Sequence, residues 1–114
     1  MVKTKIAEQL FHGAEGYNCA QAILKTFQKE FEVDEQAIVA AARNGGGRAE
    51  GGLCGALYAA HQLLGDNPLQ QKIDMDFIAK GSSVRCREIR TERRLSCKQC
   101  VSLAAQNLQG MLGT

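Results

Sequence analysis

The side chains best suited to chemistry in this 114-residue sequence are its five cysteines, Cys19, Cys54, Cys86, Cys97 and Cys100. Five is odd, so a fully paired disulfide framework within one chain is excluded, and at least one thiol is left for solvent, a metal or a partner. Cys97 and Cys100 form a C-x-x-C directly after Ser96. The first turn of a helix has unpaired N–H groups and partial positive charge, both of which stabilise a thiolate. Residues three apart share a helix face, so these two sulfurs could bond or share a metal. Arg85, Arg87, Arg90, Arg93, Arg94 and Lys98 lie around them and favour the thiolate further, offset in part by Glu88 and Glu92. No strand precedes this C-x-x-C as it does in thioredoxins. The plainer alternative is a pair of half-buried helix cysteines beside a solvated basic loop.

Cys54 stands among six glycines, Gly45 to Gly47, Gly51, Gly52 and Gly55. Such a stretch permits left-handed backbone and close approach, and it could present N–H groups to an anion or thiolate at a helix start. It lacks the Gly-Lys-Ser/Thr of a Walker loop and the preceding strand of a dinucleotide fingerprint. Read without its cysteine it is a flexible linker. Cys19 opens an apolar stripe and on that basis is equally well a small core residue. His12 and His61 are the only histidines. His61 lies about two helical turns beyond Cys54, too far for a Cys–His pair within the helix. Asp74 and Asp76 read as a solvated face, and no Ser/His/Asp arrangement can be argued.

Helices must position these thiols. Ile6, Ala7, Leu10 and Phe11 have helical spacing, and Gly13 and Gly16 end that segment. From Asn18, a candidate N-cap, Cys19, Ile23, Phe27 and Phe31 recur every four residues as one buried stripe. Asp34 caps a third helix through Ile38 and Val39. A fourth runs from Gly51 or Gly52 to Leu64 and is apolar on nearly all sides, which makes it central. Packing of the second and fourth helices would bring Cys19 to Cys54, and Cys86 is expected near Cys97. Asn67-Pro68 starts a fifth, with Pro at the first helical position, extending to about Lys80. Ser83 caps a short turn with Cys86 and Ile89, Arg90 to Leu95 is a charged connector, and Ser96 with Gln99 makes a capping box for the last helix. The expected fold is all-α, a compact bundle of five to six short helices, with at least about 60% helix.

Composition sets the limits. One hundred and fourteen residues suit a single domain spanning 1–114. A net charge of +2 is too small to make nucleic acid the main partner. No apolar window reaches the roughly 18 residues of a membrane span, so no membrane insertion is expected. The first ten residues lack an apolar signal core, and the expected location is cytoplasmic, where cysteines tend to be catalytic, redox-sensing or metal-bound.

Gly16-Tyr17-Asn18-Cys19-Ala20, the glycine-rich run into Cys54-Gly55-Ala56, Cys86-Arg87-Glu88-Ile89, and Cys97 followed by Val101, Ala104 and Ala105 together resemble the C_GCAxxG_C_C family. Its members are small proteins to which redox activity is ascribed from four characteristic cysteines. The resemblance spans about Ala7 to Leu108 and places those four on Cys19, Cys54, Cys86 and Cys97. Cys100 falls outside the pattern. The closing Gly of the family's Cys-Gly-Ala-x-x-Gly is Ala59 here, which a packing role tolerates and close approach of a ligand does not. The expected function is thiol–disulfide redox chemistry with a redox partner protein and without a cofactor. Cys97 or Cys54 would attack a disulfide and a second cysteine would resolve it. Two alternatives stand beside it. One is a zinc or iron–sulfur protein ligated by Cys19, Cys54, Cys86 and Cys97, with Cys100 available to the set. The other is an interaction module with structural cysteines. Cysteine pairing, electron donor and oligomeric state are not legible in the sequence.

Overall fold

Helix caps are where the sequence is most explicit, and those at Asn18, Asp34 and Ser96 form in the structure. The computed structural model describes residues 2–14, 16–44, 49–65, 67–92 and 95–111. It is 77% helical, with eight helices and no strand among the described residues. They are α1 Val2–Leu10, α2 Cys19–Thr26, α3 Gln28–Phe31, α4 Glu35–Ala40, α5 Gly55–Leu64, α6 Leu69–Gly81, α7 Cys86–Glu92 and α8 Cys97–Met111. Short 3-10 turns at Ala41–Asn44 and Glu50–Gly52 lie between α4 and α5. Among the described residues no helix is long and apolar enough to cross a membrane.

Asn18 caps α2 in a full capping box: its side chain accepts from the Gln21 N–H at 2.8 Å, and Gln21 Oε1 accepts from the Asn18 N–H at 3.0 Å. Ser96 and Gln99 repeat the arrangement at α8, at 3.1 and 2.8 Å. Asp34 caps α4 through the Gln36 N–H. Asn67 Oδ1 accepts from the Leu69 N–H at 2.9 Å, which places Pro68 at the helix entrance as expected.

The count of five to six helices is low. Six of the eight reach seven residues; the two in excess are α3, split from α2 by a break, and α7, a full helix to Glu92 where a short turn and a connector from Arg90 are expected. The segment expected to run unbroken to Phe31 divides at Phe27, whose φ of −106° and ψ of 15° leave the helical region. The Thr26 hydroxyl donates back to the Ala22 carbonyl at 2.7 Å just before the break, a contact that bends helices. The third expected helix tightens into the 3-10 turn after Ala40, and the fourth begins at Gly55, after the 3-10 turn, not at Gly51 or Gly52.

α5 is central, as its all-round apolarity predicts: Ala56, Leu57, Ala59 and Ala60 are fully buried and the helix packs on α2, α8 and α6. α1 covers α8 and α2 from the other side. The core is built from Ala, Leu and Ile with Phe27 and Phe77, small side chains that let helix axes approach closely. The isolated pairings Phe11–Tyr17 and Leu53–Arg85 are single bridges. The second clamps the segment before Cys54 to the one before Cys86, with the Cys54 N–H donating to the Val84 carbonyl at 2.9 Å.

Candidate functional site

Helix starts also carry the thiols. Cys19 is the first residue of α2, Cys86 of α7 and Cys97 of α8, while Cys54 immediately precedes α5 as its N-cap. Cys100 is one turn into α8. These ends converge, so that all five cysteines, with Ile89 and Leu95, line one cavity of about 20 Å³, room for about one water molecule. None of the five is joined in a disulfide. Cys19, Cys54, Cys86 and Cys100 are 7%, 4%, 7% and 4% exposed, and Cys97 alone is half-buried. Cys97 sits at the edge of the α8 stripe that buries Cys100, Val101, Ala104 and Leu108.

The α5 entrance shows what the Cys-Gly-Ala sequence does. A Cβ on Gly55 would lie 2.5 Å from Cys19 Sγ and 2.7 Å from the Asn44 carbonyl oxygen. The missing side chain is the space that the Cys19 sulfur fills. Asn18, next to Cys19, holds the other wall by donating to the Ala41 and Ala42 carbonyls, both at 3.1 Å. Gly51 and Gly52 have φ of +70° and +74°, left-handed backbone that brings the chain round into Leu53 and Cys54. Ala59, which stands at the motif's closing Gly, is fully buried between helices. That position therefore works in packing, and a methyl group fits.

Burial pushes the Cys19 thiol up from 9.0 to about 12. Within that shift burial contributes most and negative charge on Cys54 or Cys97 contributes less, against a smaller lowering by the Ala20 and Ala56 N–H groups. Cys54 is raised well above the ordinary thiol range, first by the hydrogen bond its side chain shares with Cys100, then by burial. The Leu57 and Ala56 N–H groups at the start of α5 act in the opposite direction and are outweighed. Cys54 is thus not the activated thiolate that its place at a helix start suggests, because the Cys100 side chain and desolvation together exceed what one helix end supplies. Of the two thiols expected to attack a disulfide, Cys97 is the accessible one.

The sequence groups Cys19 with Cys54 and Cys86 with Cys97, and the family pattern leaves Cys100 outside. The structure brings all five together and sets Cys100 against Cys54. The signal for Cys100 is its i+3 spacing from Cys97 on the buried side of α8. The close fit of Gly55 against Cys19 has no signal beyond a glycine next to a cysteine. Neither histidine joins the site. His61 pairs with Asp74 at 2.6 Å, and Asp76 accepts from Asn107 Nδ2 at 3.2 Å, so these two aspartates are partnered and not a solvated face. The run Gly45–Gly47, Arg93, Arg94 and the side chain of Arg90 lie outside the described residues.

The family model described as "Putative redox-active protein (C_GCAxxG_C_C)" matches residues 17–111. The chain belongs to this family. No curated protein and no solved structure matches it. The matched span takes in every cavity-lining residue, Cys100 included.

Exposure predicts an order of reactivity. Iodoacetamide at pH 8 is expected to modify Cys97 first, with the four buried thiols slower by about tenfold or more, because a thiol must be both ionised and reachable. Mass spectrometry of timed, quenched samples reads the order. Cys19 labelled ahead of Cys97 would contradict it.

Proposed function

We propose that the chain is a thiol–disulfide redox protein in which half-buried Cys97 meets the partner and the enclosed thiols take up the oxidising equivalents. The convergence of five sulfurs from separate helix starts on one water-sized cavity supports this reading, together with membership of a family to which redox activity is ascribed. Cys97 thiolate attacks one sulfur of a partner's disulfide, that bond breaks, and the partner sulfur it releases leaves as a thiolate and gains a proton. A second cysteine then displaces the remaining partner sulfur. Two thiols of this chain become one disulfide, and the partner's disulfide becomes two thiols. Oxidoreductase and redox carrier share this chemistry. A reducing, cytoplasmic setting suits a resting state with five thiols.

Ligation of a metal is the second reading, favoured by the donor chemistry of five thiols around one cavity. Among the described residues no three His, Cys, Asp or Glu side chains are arranged to hold a metal ion. Zinc or an iron–sulfur cluster would therefore require the thiols to draw closer together.

Thermal melting of the parent protein and of Cys54→Ser, with and without a chelator, separates the two. Metal binding in a structural site contributes on the order of 10 kcal/mol to folding. The redox reading expects no response to chelator and a Cys54→Ser variant that stays folded with a loss of about 1 kcal/mol. Ser is itself a good N-cap for α5. Collapse of the variant, or of the parent on chelation, would give the site to a metal.

A further inference from the structure

The family's four-cysteine pattern accounts for Cys19, Cys54, Cys86 and Cys97 and leaves Cys100 without a role. We propose that Cys100 is the exchange hub of the site and that the stable oxidised form carries a Cys54–Cys100 disulfide, with Cys97 only relaying the bond inward. The proposal rests on the thiol–disulfide reading above.

Three placements carry it. Cys54 and Cys100 line the same water-sized cavity from α5 and α8, two helices packed on one another, and Cys100 is the first cause of the raised Cys54 thiol, as two neighbouring sulfurs require. Cys100 also sits one turn from Cys97 on α8, in a register set by the Ser96–Gln99 capping box and by the Cys100 N–H donating to the Ser96 carbonyl at 2.9 Å. It is therefore next to both the half-exposed thiol and a buried one. Cys19 lines the cavity too, but its sulfur is seated where the Gly55 side chain would be and must leave that seat to exchange.

Helix geometry then decides where the bond rests. Side chains at i and i+3 have Cβ atoms about 5–6 Å apart, whereas a relaxed disulfide needs about 3.5–4.5 Å. A Cys97–Cys100 bond within α8 is strained, and strained disulfides are the ones that exchange. Cys54 relieves it. Its sulfur, losing a proton, attacks Cys100 Sγ, the Cys97–Cys100 bond breaks, and Cys97 leaves as the thiolate and takes up a proton. One S–S bond breaks and one forms, so no further oxidant is needed beyond the disulfide that Cys97 first met. Both sulfurs of the new bond belong to residues only 4% exposed, so it is shielded from reductants in solution, and Cys97 is returned to its outward position.

The test uses the full chain and oxidised glutathione as the disulfide. The reduced protein is treated with one equivalent, quenched with acid and an alkylating agent, digested with trypsin and mapped by mass spectrometry. Cleavage after Lys98 separates Cys97 from Cys100, so each linkage gives a distinct peptide pair. In the parent protein we expect no retained glutathione and a dominant Cys54–Cys100 link. Cys100→Ser should hold glutathione on Cys97, with release of the second glutathione slowed at least tenfold. Cys54→Ser should stop at Cys97–Cys100 and be reduced by dithiothreitol at least tenfold faster than the oxidised parent. A dominant Cys97–Cys100 or Cys19–Cys54 link in the parent, or full glutathione release by Cys100→Ser, overturns the assignment of Cys100 while leaving thiol exchange standing. A parent protein that neither takes up nor is oxidised by glutathione overturns both. The parent map decides the pairing even where a variant fails to fold.

Discussion

Between pH 9 and pH 12 the native state is expected to lose about 3 kcal/mol through the raised Cys19 thiol, and buried Cys54 acts in the same direction. Cys19 is held at about 12 against an ordinary value of 9.0. Below pH 9 this thiol is protonated in the folded and unfolded chain alike, and stability is at its full value. Above pH 9 the unfolded chain ionises while the folded chain does not, so unfolding releases a proton. Each further pH unit then costs up to about 1.4 kcal/mol until the folded thiol also ionises near 12. A loss of that size is a large part of the roughly 5–15 kcal/mol that holds a domain together. Urea unfolding of the reduced protein at intervals from pH 8 to 11, beside Cys19→Ala, isolates the effect. Other groups that titrate in this range are common to both proteins and cancel. The parent should lose stability with the steeper slope, and equal slopes would show that Cys19 is not enclosed as described.

Gly55→Ala is expected to destabilise the fold by about 3 kcal/mol, at the upper end of what one extra methyl does in a packed core. For a chain of this size that is a fall in Tm of about 12 °C. The new Cβ would stand 2.5 Å from Cys19 Sγ and 2.7 Å from the Asn44 carbonyl oxygen. A flexible side-chain end could yield to the first contact, but the second is backbone. The helix start must move, or Cys19 must leave its seat, and Cys19 should then alkylate faster than in the parent. Gly110→Ala in α8 is the control, because a Cβ there meets nothing within 4 Å and should be neutral or gain up to about 1 kcal/mol through helix propensity. A Gly55→Ala protein that melts with the parent would remove the steric basis of the Cys-Gly-Ala motif.

The features that the chain declares by itself are local ones. A cap joins a side chain to an N–H two or three residues on, so Asn18 with Gln21, Asp34 with Gln36 and Ser96 with Gln99 are legible in the sequence and form in the fold. The all-round apolarity of α5 likewise announces a central helix. The cysteines themselves mark the site, and their neighbours mark the family. The break at Phe27 is not legible. It depends on Thr26 bonding back to Ala22 while Phe27 is fully buried in the core, and the four-residue stripe runs through it without interruption.

Which thiols meet, and how acidic they are, lies with the tertiary structure alone. The sequence offers helix starts as thiolate-stabilising sites for Cys54 and Cys97 alike. Packing reverses that for Cys54, since a helix end contributes about half a charge while enclosure beside Cys100 and the core removes water from the whole thiolate. Cys100 meets Cys54 because α8 crosses α5, a contact between residues far apart in the chain, for which periodicity holds no information. Desolvation and long-range contact are properties of the assembled core. Capping and helical period belong to a few adjacent residues, and only these can be read from the chain by itself.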